Sequence, residues 1–320
     1  MRILFCGEFF ADGHRKLREL LPDEDIRNCH RTEVSTLGLD ADVLVPLMHR
    51  LEPELIAGTS ARLIHQWGVG LEGVDISAAT SRGIYVCNVP ADRSPNADST
   101  AELIIFLMLG VARRIHECIR AFHEGVWGGP MGEALFGSTA LIVGLGRVGK
   151  ALAKRLTALS VNVIAIRRRP DAEPIEELPV TRIGGPSDLL EMAAEADFVI
   201  STVMLSDQNR GMFNRELFRS MRPTAIVINA SRGPVVDEAD LVEALRAGEI
   251  GGAGLDVFHR EPLDPSNPLL QMDNVFATPH VGGVTRQNFE RVAHVLADNI
   301  GRFKAGKPLL YCVNETDIST

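Results

Sequence analysis

The chain has few cysteines, and they follow no pattern that would bind a metal or build a disulfide framework. Five cysteines occur in 320 residues. None is spaced as Cys-x-x-Cys, and an odd number cannot pair completely. This usage indicates reduced thiols in a cytosolic protein and argues against a zinc site, so we expect no bound metal.

Long apolar runs and a surplus of positive charge are also missing. The longest apolar run, Leu103 to Ala112, has about half the ~20 residues that a bilayer span requires. The first apolar run becomes charged at once and has no cleavage site, which indicates a β-strand and no signal peptide. The net charge of −9 argues against nucleic acid as a partner. We therefore expect a cytoplasmic protein with neither a membrane nor a nucleic acid as its partner.

Length and composition predict two globular domains, since 45% of the 320 residues are hydrophobic and 23% are charged. Residues 1–97 alternate short apolar runs with helical stretches, a pattern typical of an α/β domain with buried parallel strands. The predicted strands are Arg2–Cys6, Val43–Leu47, Leu63–Gln66 and Ile84–Cys87, and the predicted helices include His14–Leu21 and Pro53–Ala57.

The following residues predict a second α/β domain. A capping box, Ser99-x-x-Glu102, predicts a long helix that begins near Asp98. Strand, glycine turn, helix and strand then follow as a βαβ unit, which favours a doubly wound, mostly parallel sheet. Apolar spacing over 286–303 predicts an amphipathic helix that returns to the first domain. The predicted domains are therefore 1–97 with 286–320, for substrate, and 98–285, for a dinucleotide. Strands of the second domain are predicted at Ala140–Val143, Val161–Ile166, Phe198–Ser201, Ala225–Asn229, Gly254–Val257 and Val275–Thr278, and helices at Val148–Ala158, Arg215–Ser220 and Glu238–Ala247.

The βαβ unit contains a glycine motif, Gly144-Leu-Gly146-Arg-Val-Gly149. The first glycine of such a motif permits a tight turn, the second lets the backbone approach a pyrophosphate, and the third lets helix and strand pack closely. The free N–H groups of the helix N-terminus then face the phosphates. An ordinary glycine-rich turn is the alternative.

The end of the next strand indicates which dinucleotide binds. An NAD enzyme usually has an acidic residue there for the ribose hydroxyl. This chain has Arg167-Arg168-Arg169 and no carboxylate until Asp171. Because guanidinium groups can bind a 2′-phosphate in a bidentate manner, NADP(H) is favoured, with NAD(H) as the alternative. The arginines could instead form a solvated loop without a role.

Three polar residues follow predicted strands in the C-terminal half: Arg232, Glu261 and His280. They lie in Val-Ile-Asn-Ala-Ser-Arg-Gly-Pro, Asp-Val-Phe-His-Arg-Glu-Pro and Ala-Thr-Pro-His-Val-Gly-Gly. Histidine is suited to proton transfer near neutral pH, and a carboxylate beside it fixes its tautomer. An arginine fork matches a substrate carboxylate. Together they predict reversible hydride transfer to a 2-keto acid, although each residue alone could be an ordinary surface residue.

These strings resemble those of the D-isomer-specific 2-hydroxyacid dehydrogenases, which include glyoxylate/hydroxypyruvate reductases, D-lactate dehydrogenases and phosphoglycerate dehydrogenases. The resemblance runs from about residue 40 to 313 and is strongest over 141–149, 227–238 and 254–285. It implies two Rossmann-like or flavodoxin-like lobes with doubly wound parallel sheets, an active-site cleft between them, and a homodimer built largely on the cofactor domain.

The resemblance also implies roles for residues. Arg232, Glu261 and His280 are the implied catalytic set, and Val69, Gly70, Arg232 and His280 are the implied substrate-binding residues. Asp256 is implied to meet the nicotinamide carboxamide. The full set of predicted cofactor-binding residues is Gly144, Gly146, Arg147, Val148, Gly149, Arg167, Arg168, Arg169, Val203, Ala230, Asp256 and Gly282.

The predicted substrate is a small 2-keto or 2-hydroxy acid, such as glyoxylate or hydroxypyruvate. The apolar Pro46–Met48 loop disfavours a phosphorylated substrate, although Arg50 follows it. Met204 stands where the family often has proline, which alters a loop over the cofactor. Oxidation of formate is a less favoured function, because the formate dehydrogenases that resemble this family carry Gln at the position of Glu261. The alternative to an enzyme is a binding protein of the same fold, a corepressor that senses a dinucleotide.

Overall fold

The computed structural model describes residues 1–8, 10–170 and 178–318. Its contacts divide the chain into two compact units, one of Met1–Asn96 with Gly283–Thr320 and one of Ala97–Gly282. These boundaries lie one and three residues before those expected from the sequence. No helix among the described residues is long and apolar enough to cross a membrane.

The first unit contains a five-stranded parallel sheet in the order β2-β1-β3-β4-β5. Three of the strands consist almost entirely of buried apolar residues, which is why the sequence predicted them. The edge strand β2 was not predicted, because only Ile26 of its four residues is buried. The strands are β1 Arg2–Phe5, β2 Asp25–Asn28, β3 Val43–Val45, β4 Leu63–His65 and β5 Tyr85–Cys87.

Helices cover this sheet. The helices of the first unit are α1 Ala11–Leu20, α2 Val34–Leu37, α3 Pro53–Gly58, α4 Ile76–Ser81, α11 Arg286–Lys304 and α12 Glu315–Ile318. Helix α11 packs against α1, and the rings of Phe10 and Phe289 meet edge to face with centroids 5.7 Å apart. The ring of Trp67 also meets Phe289 edge to face, with centroids 5.7 Å apart, and Trp67 is 7% exposed. An aromatic core therefore fixes α11 to the first unit.

The second unit contains a seven-stranded parallel sheet in the order β12-β11-β10-β9-β6-β7-β8. The order reverses between β9 and β6, which makes a crevice at the carboxyl ends of those strands, the usual ligand position of open α/β sheets. The strands are β6 Thr139–Val143, β7 Asn162–Ile166, β8 Arg182–Gly184, β9 Phe198–Ser201, β10 Ile226–Asn229, β11 Gly252–Leu255 and β12 Val275–Ala277. The expected α/β class with parallel sheets is thus confirmed, and β8 is a short edge strand that the sequence did not indicate.

Buried apolar side chains cover both faces of this sheet. The helices of the second unit are α5 Asn96–Ala112, which begins at the unit boundary, α6 Ile115–His123, α7 Arg147–Ala158, α8 Leu189–Glu195, α9 Arg215–Ser220 and α10 Glu238–Ala247. Helix α5 begins at Asn96, so the prediction of a capping box at Ser99 is wrong: Ser99 and Glu102 lie inside the helix, and Ser99 is buried. The apolar residues that follow Ser99 predicted the helix correctly, whereas Ser99 and Glu102 do not lie at its N-terminus.

Candidate active site

The turn after β6 has the geometry that its glycines predict. Gly144 has φ +108°, a conformation that other residues rarely adopt, and a Cβ there would lie 2.8 Å from a methyl group of Val203. A Cβ on Gly149 would lie only 2.2 Å from the carbonyl oxygen of Gly144. The Thr202 hydroxyl donates a hydrogen bond to that same carbonyl. The turn is therefore held between the start of α7 and the residues that follow β9.

Gly146 differs from its two neighbours in the motif, because a Cβ built on it meets nothing within 4 Å. It is exposed and caps α7 without a side-chain hydrogen bond. Arg147 is exposed beside it, and Val148 is half-buried. The space beside Gly146 therefore lets a ligand approach the N-terminus of α7, the end of a helix that suits a pyrophosphate.

The three arginines after β7 do not lie alike. Arg167 donates from Nε and Nη2 to the carbonyl of Pro170, at 3.2 and 2.5 Å, because the chain turns back within reach of its guanidinium. Arg168 and Arg169 are exposed. Asp171, the first acidic residue after this strand, lies outside the described residues. Two exposed guanidiniums at this strand end leave a basic surface at the position that selects between dinucleotides.

His280 and Glu261 form a direct pair. The Nδ1 of His280 donates to Oε2 of Glu261 at 2.7 Å, and the side chains are 31% and 21% exposed. The other oxygen of Glu261 accepts the N–H of Phe258 at 2.8 Å. Glu261 follows β11 and His280 follows β12, and these parallel strands are neighbours. The pairing leaves Nε2 of the imidazole for an external partner and fixes its tautomer.

Asp256 holds the loop that carries His280. Its carboxylate accepts the hydroxyl of Thr278 at 2.6 Å and the N–H groups of Val281 and Gly282 at 2.7 and 2.9 Å. Its carbonyl accepts the N–H of His280 at 2.8 Å, and His280 itself has a left-handed φ of 54°. Burial raises the pKa of the Asp256 carboxyl, and these hydrogen bonds oppose that shift. The loop-holding contacts were not foreseen, because the sequence reading gave Asp256 only a contact with the cofactor.

Arg232 follows β10, the strand beside β11. Its Nη1 donates to the carbonyl of Ser231 at 2.7 Å, and its own carbonyl accepts the side-chain amide of Asn229 at 3.0 Å. The Ser231 hydroxyl bonds both to Oδ1 of Asn229, at 2.8 Å, and to the Ser201 hydroxyl, at 2.7 Å. Asn229, Ser231 and Ser201 are buried, so this polar network shapes the turn that presents Arg232. Ala230, between them, is half-buried.

A close backbone contact joins the turn of Arg232 to the loop of Glu261. A Cβ on Gly233 would lie 1.8 Å from the carbonyl oxygen of Phe258, so only glycine fits. The N–H of that same Phe258 donates to Glu261. The structure therefore brings His280 and Glu261 into contact and packs the Arg232 turn against the loop that holds them. The sequence signal for this contact was the Arg-Gly-Pro string, whose glycine was read only as part of a turn.

In the first unit, the segment 68–70 follows β4. Each of its carbonyls is held: Val89 donates its N–H to Gly68 at 2.8 Å, and the side chains of Asn88 and Gln66 donate to Val69 and Gly70 at 2.7 and 2.6 Å. Among the described residues, no acceptor is found for the N–H groups of Val69 and Gly70. A segment with fixed carbonyls, whose N–H groups have no acceptor among the described residues, suits a carboxylate ligand.

The predicted pocket loop 46–50 is only partly apolar at its surface. Pro46 and Leu47 are buried, and Leu47 belongs to the apolar core of the first unit. Met48 and His49 are half-buried, and Arg50 is exposed. Pro46 and Leu47 therefore pack inside the first unit, and their apolar side chains do not argue against a phosphorylated substrate.

Met204, the residue that stands where the family often has proline, lies in the loop after β9. Met204 is 71% exposed, and its carbonyl accepts the side-chain amide of Asn209 at 2.7 Å. Oδ1 of Asn209 accepts the N–H of Ser206 at 2.8 Å. The loop after β9 thus closes on its own polar groups, and both Thr202 and Val203 contact the Gly144 turn.

The glycine turn and the His–Glu pair follow parallel strands of one sheet, and the sequence that contains them matches a known domain. The sequence profile of the D-isomer specific 2-hydroxyacid dehydrogenase NAD binding domain matches residues 105–282. The chain belongs to the D-isomer specific 2-hydroxyacid dehydrogenase family. This D-2-hydroxyacid dehydrogenase is thus an oxidoreductase with a domain for a nicotinamide dinucleotide.

Relatives of this D-2-hydroxyacid dehydrogenase carry two activities in their names. A D-3-phosphoglycerate dehydrogenase of Archaeoglobus fulgidus is 38% identical over 275 residues, which are 85% of this chain but only 51% of that protein. A glyoxylate reductase of Korarchaeum cryptofilum is 37% identical over 278 residues, which are 84% of this chain and 81% of that protein. The chain thus spans about half the length of the first relative and most of the second.

The fold agrees with solved structures. An NADPH-dependent glyoxylate/hydroxypyruvate reductase from Sinorhizobium meliloti, in complex with NADP and malonate, superposes with a TM-score of 0.83 at 30% identity. The match covers 99% of this chain and 97% of that one.

Proposed function

We propose that this chain reduces small 2-keto acids such as glyoxylate or hydroxypyruvate with NADPH, and oxidises the corresponding 2-hydroxy acids in reverse. The observation that carries the proposal is the 2.7 Å pair of His280 and Glu261, on the same sheet edge as the glycine turn after β6. The names of the glyoxylate reductase relatives support this substrate class.

The proposal gives each polar group one task. A bound nicotinamide dinucleotide supplies the hydride. His280 delivers a proton from Nε2 to the alkoxide oxygen that forms on the substrate carbon, while Glu261 holds the ring by Nδ1 and fixes its tautomer. Arg232 binds the substrate carboxylate and polarises the carbonyl beside it. We also propose the N–H groups of Val69 and Gly70 as donors to a substrate carboxylate.

The preference for NADP(H) rests on the strand end after β7. Exposed Arg168 and Arg169 offer donors to a 2′-phosphate, and no described acidic residue takes their place. The Sinorhizobium relative, solved with NADP, supports the choice. In the proposed site, the dinucleotide contacts Gly144, Gly146, Arg147, Val148, Gly149, Arg167, Val203, Ala230, Asp256 and Gly282.

Oxidation of a phosphorylated hydroxy acid is a second candidate. The name of the Archaeoglobus relative and the exposed side chain of Arg50 favour it. Its hallmark is a large rise in turnover when the substrate carries a phosphate group.

A homodimer is part of the proposal. Residues 106–136 of the second unit expose large apolar side chains, among them Phe122 at 70%, Trp127 at 83%, Met131 at 88% and Phe136 at 74%. Monomeric proteins rarely expose such a group of side chains, and a second copy of this chain would cover it. Sedimentation of the native chain and of Trp127→Ala tests this, with a shift towards monomer expected in the variant.

The chemical role is tested by a matched pair of histidine variants. His280→Gln removes the proton carrier and is expected to lower kcat by about 10²–10⁴-fold. His259→Gln changes an exposed histidine two residues before Glu261 and is expected to leave kcat unchanged. Binding of NADPH, followed by its fluorescence, shows that both variants keep the cofactor site. Equal activity of the two variants would refute the role of His280.

The cofactor choice is tested by replacing the two exposed arginines together, Arg168→Ser and Arg169→Ser. The KM for NADPH should rise while that for NADH stays the same or falls. An equal loss with both cofactors would indicate damage to the turn and would count against the arginine argument.

A further inference from the structure

Cys87 and Cys312 face each other across a short antiparallel contact in the first unit. Cys87 ends β5, the edge strand, and pairs with Cys312 in an isolated antiparallel bridge. The flanking hydrogen bonds run from Val313 N–H to Val86 O at 2.8 Å and from Asn88 N–H to Tyr311 O at 3.4 Å. The cysteines themselves exchange no backbone bond, so they occupy the narrow pair of the ladder, where Cα atoms are about 4.5 Å apart. This separation lies within the roughly 4.4–6.8 Å range in which disulfides form.

A buried asparagine fixes the segment that carries Cys312. The side-chain amide of Asn314 donates to the Thr80 hydroxyl at 2.8 Å and to the Ile84 carbonyl at 3.0 Å. Its Oδ1 accepts the N–H of Val86 at 2.8 Å, and the residue is 0% exposed. The two cysteines are therefore held in register before any bond joins their sulfurs.

The two thiols differ in their surroundings. Cys87 is buried, whereas Cys312 is half-buried and reaches solvent, and both are free thiols. The neighbouring Cys87 thiol lowers the pKa of Cys312 to about 7, whereas Cys312 and burial raise the pKa of Cys87. The Cys312 thiol donates to Oδ1 of Asn314 at 3.4 Å. Cys312 is thus the exposed nucleophile and Cys87 the thiol beside it, which is the arrangement of an attacking and a resolving cysteine.

We propose that Cys87 and Cys312 form a reversible oxidative modification site, at which a peroxide converts the two thiols into one disulfide. The Cys312 thiolate attacks a peroxide oxygen, the O–O bond breaks, and hydrogen peroxide leaves a sulfenic acid on Cys312 and one water after proton uptake. The Cys87 sulfur then attacks the sulfenic sulfur, and hydroxide leaves with the Cys87 proton as a second water. The two sulfurs are oxidised and the peroxide is reduced, and a small thiol reverses the change.

The modification site is linked to the segment 68–70. The carbonyl of Cys87 accepts the N–H of Gln66 at 2.8 Å, and the next residue, Asn88, holds the Val69 carbonyl at 2.7 Å. A bond that draws Cys87 towards Cys312 therefore acts on the two residues that position Val69 and Gly70. The expected consequence, a higher KM for the keto acid with unchanged binding of NADPH, rests on the proposed function.

The test uses the full chain, treated with hydrogen peroxide, blocked with iodoacetamide and digested with trypsin without reduction. Trypsin releases Cys87 in the peptide 83–93 and Cys312 in the peptide 305–320. Mass spectrometry is expected to show these peptides joined, lighter by two hydrogen atoms than their sum, and separate again after dithiothreitol. The linked species should disappear in Cys312→Ser and persist in Cys118→Ser. In the unaltered chain, the Cys118 thiol donates to the Arg113 carbonyl at 3.1 Å.

Several results would overturn the proposal. They are a Cys312 sulfinic acid with Cys87 still reduced, a bond between two copies of the chain, or no linked peptide while Cys118 is oxidised. Because the peptide readout needs no turnover, it stands apart from the proposed function. If the peptides link but the KM for the keto acid is unchanged, only the coupling to the segment 68–70 fails. Because Cys87 is buried, a substitution there would also change the packing of the first unit. The test therefore compares Cys312→Ser with the unaltered chain.

Discussion

Acid should destabilise the first unit through one buried histidine. His65, the last residue of β4, is 0% exposed. Its Nδ1 donates to the Gln66 carbonyl at 3.1 Å, and its Nε2 accepts from the side chain of Asn299 at 2.9 Å. Asn299 lies on α11, so the neutral imidazole joins the sheet to that helix. Complete burial lowers the pKa of His65 to about 4.

The size of the effect follows from linkage. The unfolded chain binds the proton near pH 6.5 and the folded chain only near pH 4, so the contribution is fully present above pH 6.5 and is lost as the pH falls towards 4. The complete shift corresponds to ~3 kcal/mol, and ~2 kcal/mol of this should be lost between pH 7 and pH 5. Burial also lowers the pKa of His14 and His49 in the same unit, so the test is the difference that removing His65 makes.

The two tryptophans make this measurable. Trp67 is 7% exposed in the core of the first unit, and Trp127 is 83% exposed in the second. In a Trp127→Phe background, the fluorescence of Trp67 reports urea unfolding of the first unit alone. The free energy of unfolding is measured at pH 7 and pH 5, with and without His65→Gln.

Gln keeps an acceptor for Asn299 but has no proton to gain. His65→Gln should therefore be less stable at pH 7 and lose ~2 kcal/mol less than its parent on going to pH 5. His294→Gln, at an exposed histidine on α11, is the control and should behave as the parent does. The reasoning is refuted if His65→Gln shows the same loss as its parent.

Three further predictions concern the candidate active site. Gly146→Ala should keep the Tm and weaken dinucleotide binding, because its methyl group enters the open space beside the turn. Gly149→Ala should lower the Tm, because its methyl group would lie 2.2 Å from a carbonyl oxygen. Thermal melts with and without NADPH distinguish the two variants. Gly233→Ala should lower kcat and Tm together, since its Cβ would lie 1.8 Å from a carbonyl oxygen, and a normal kcat would contradict the contact. Glu261→Gln should lower kcat by about 10²-fold while the KM for NADPH stays unchanged, because only the charge beside His280 is lost.

Much of the sheet architecture could be predicted from the sequence, because buried parallel strands consist of consecutive apolar residues. The strand Phe198–Ser201 and the helices Arg215–Ser220 and Glu238–Ala247 lie where they were predicted. The edge strands β2 and β8 were missed, since strands with one open edge carry polar residues and lose the apolar signal. The Ser99 capping box failed because a polar pair inside a helix has the same spacing as one at its end.

The candidate site divides in the same way. Residues after strands could be named from local strings, and the structure pairs His280 with Glu261. The network of Asn229, Ser231 and Ser201 could not be predicted, because it depends on the register that sets Asn229 opposite Ser201 in neighbouring strands. Register is a property of the sheet and is not encoded in any single string.

Reduction of small 2-keto acids with NADPH is tested most directly by the initial rate with glyoxylate, hydroxypyruvate, pyruvate and a bulkier aromatic 2-keto acid, each with NADPH and with NADH. We expect fast turnover of a small keto acid with NADPH and slower turnover with NADH. Turnover with NADH alone would contradict the role of the arginines, and no turnover by protein that still binds the dinucleotide would contradict the catalytic claim and favour a sensing role.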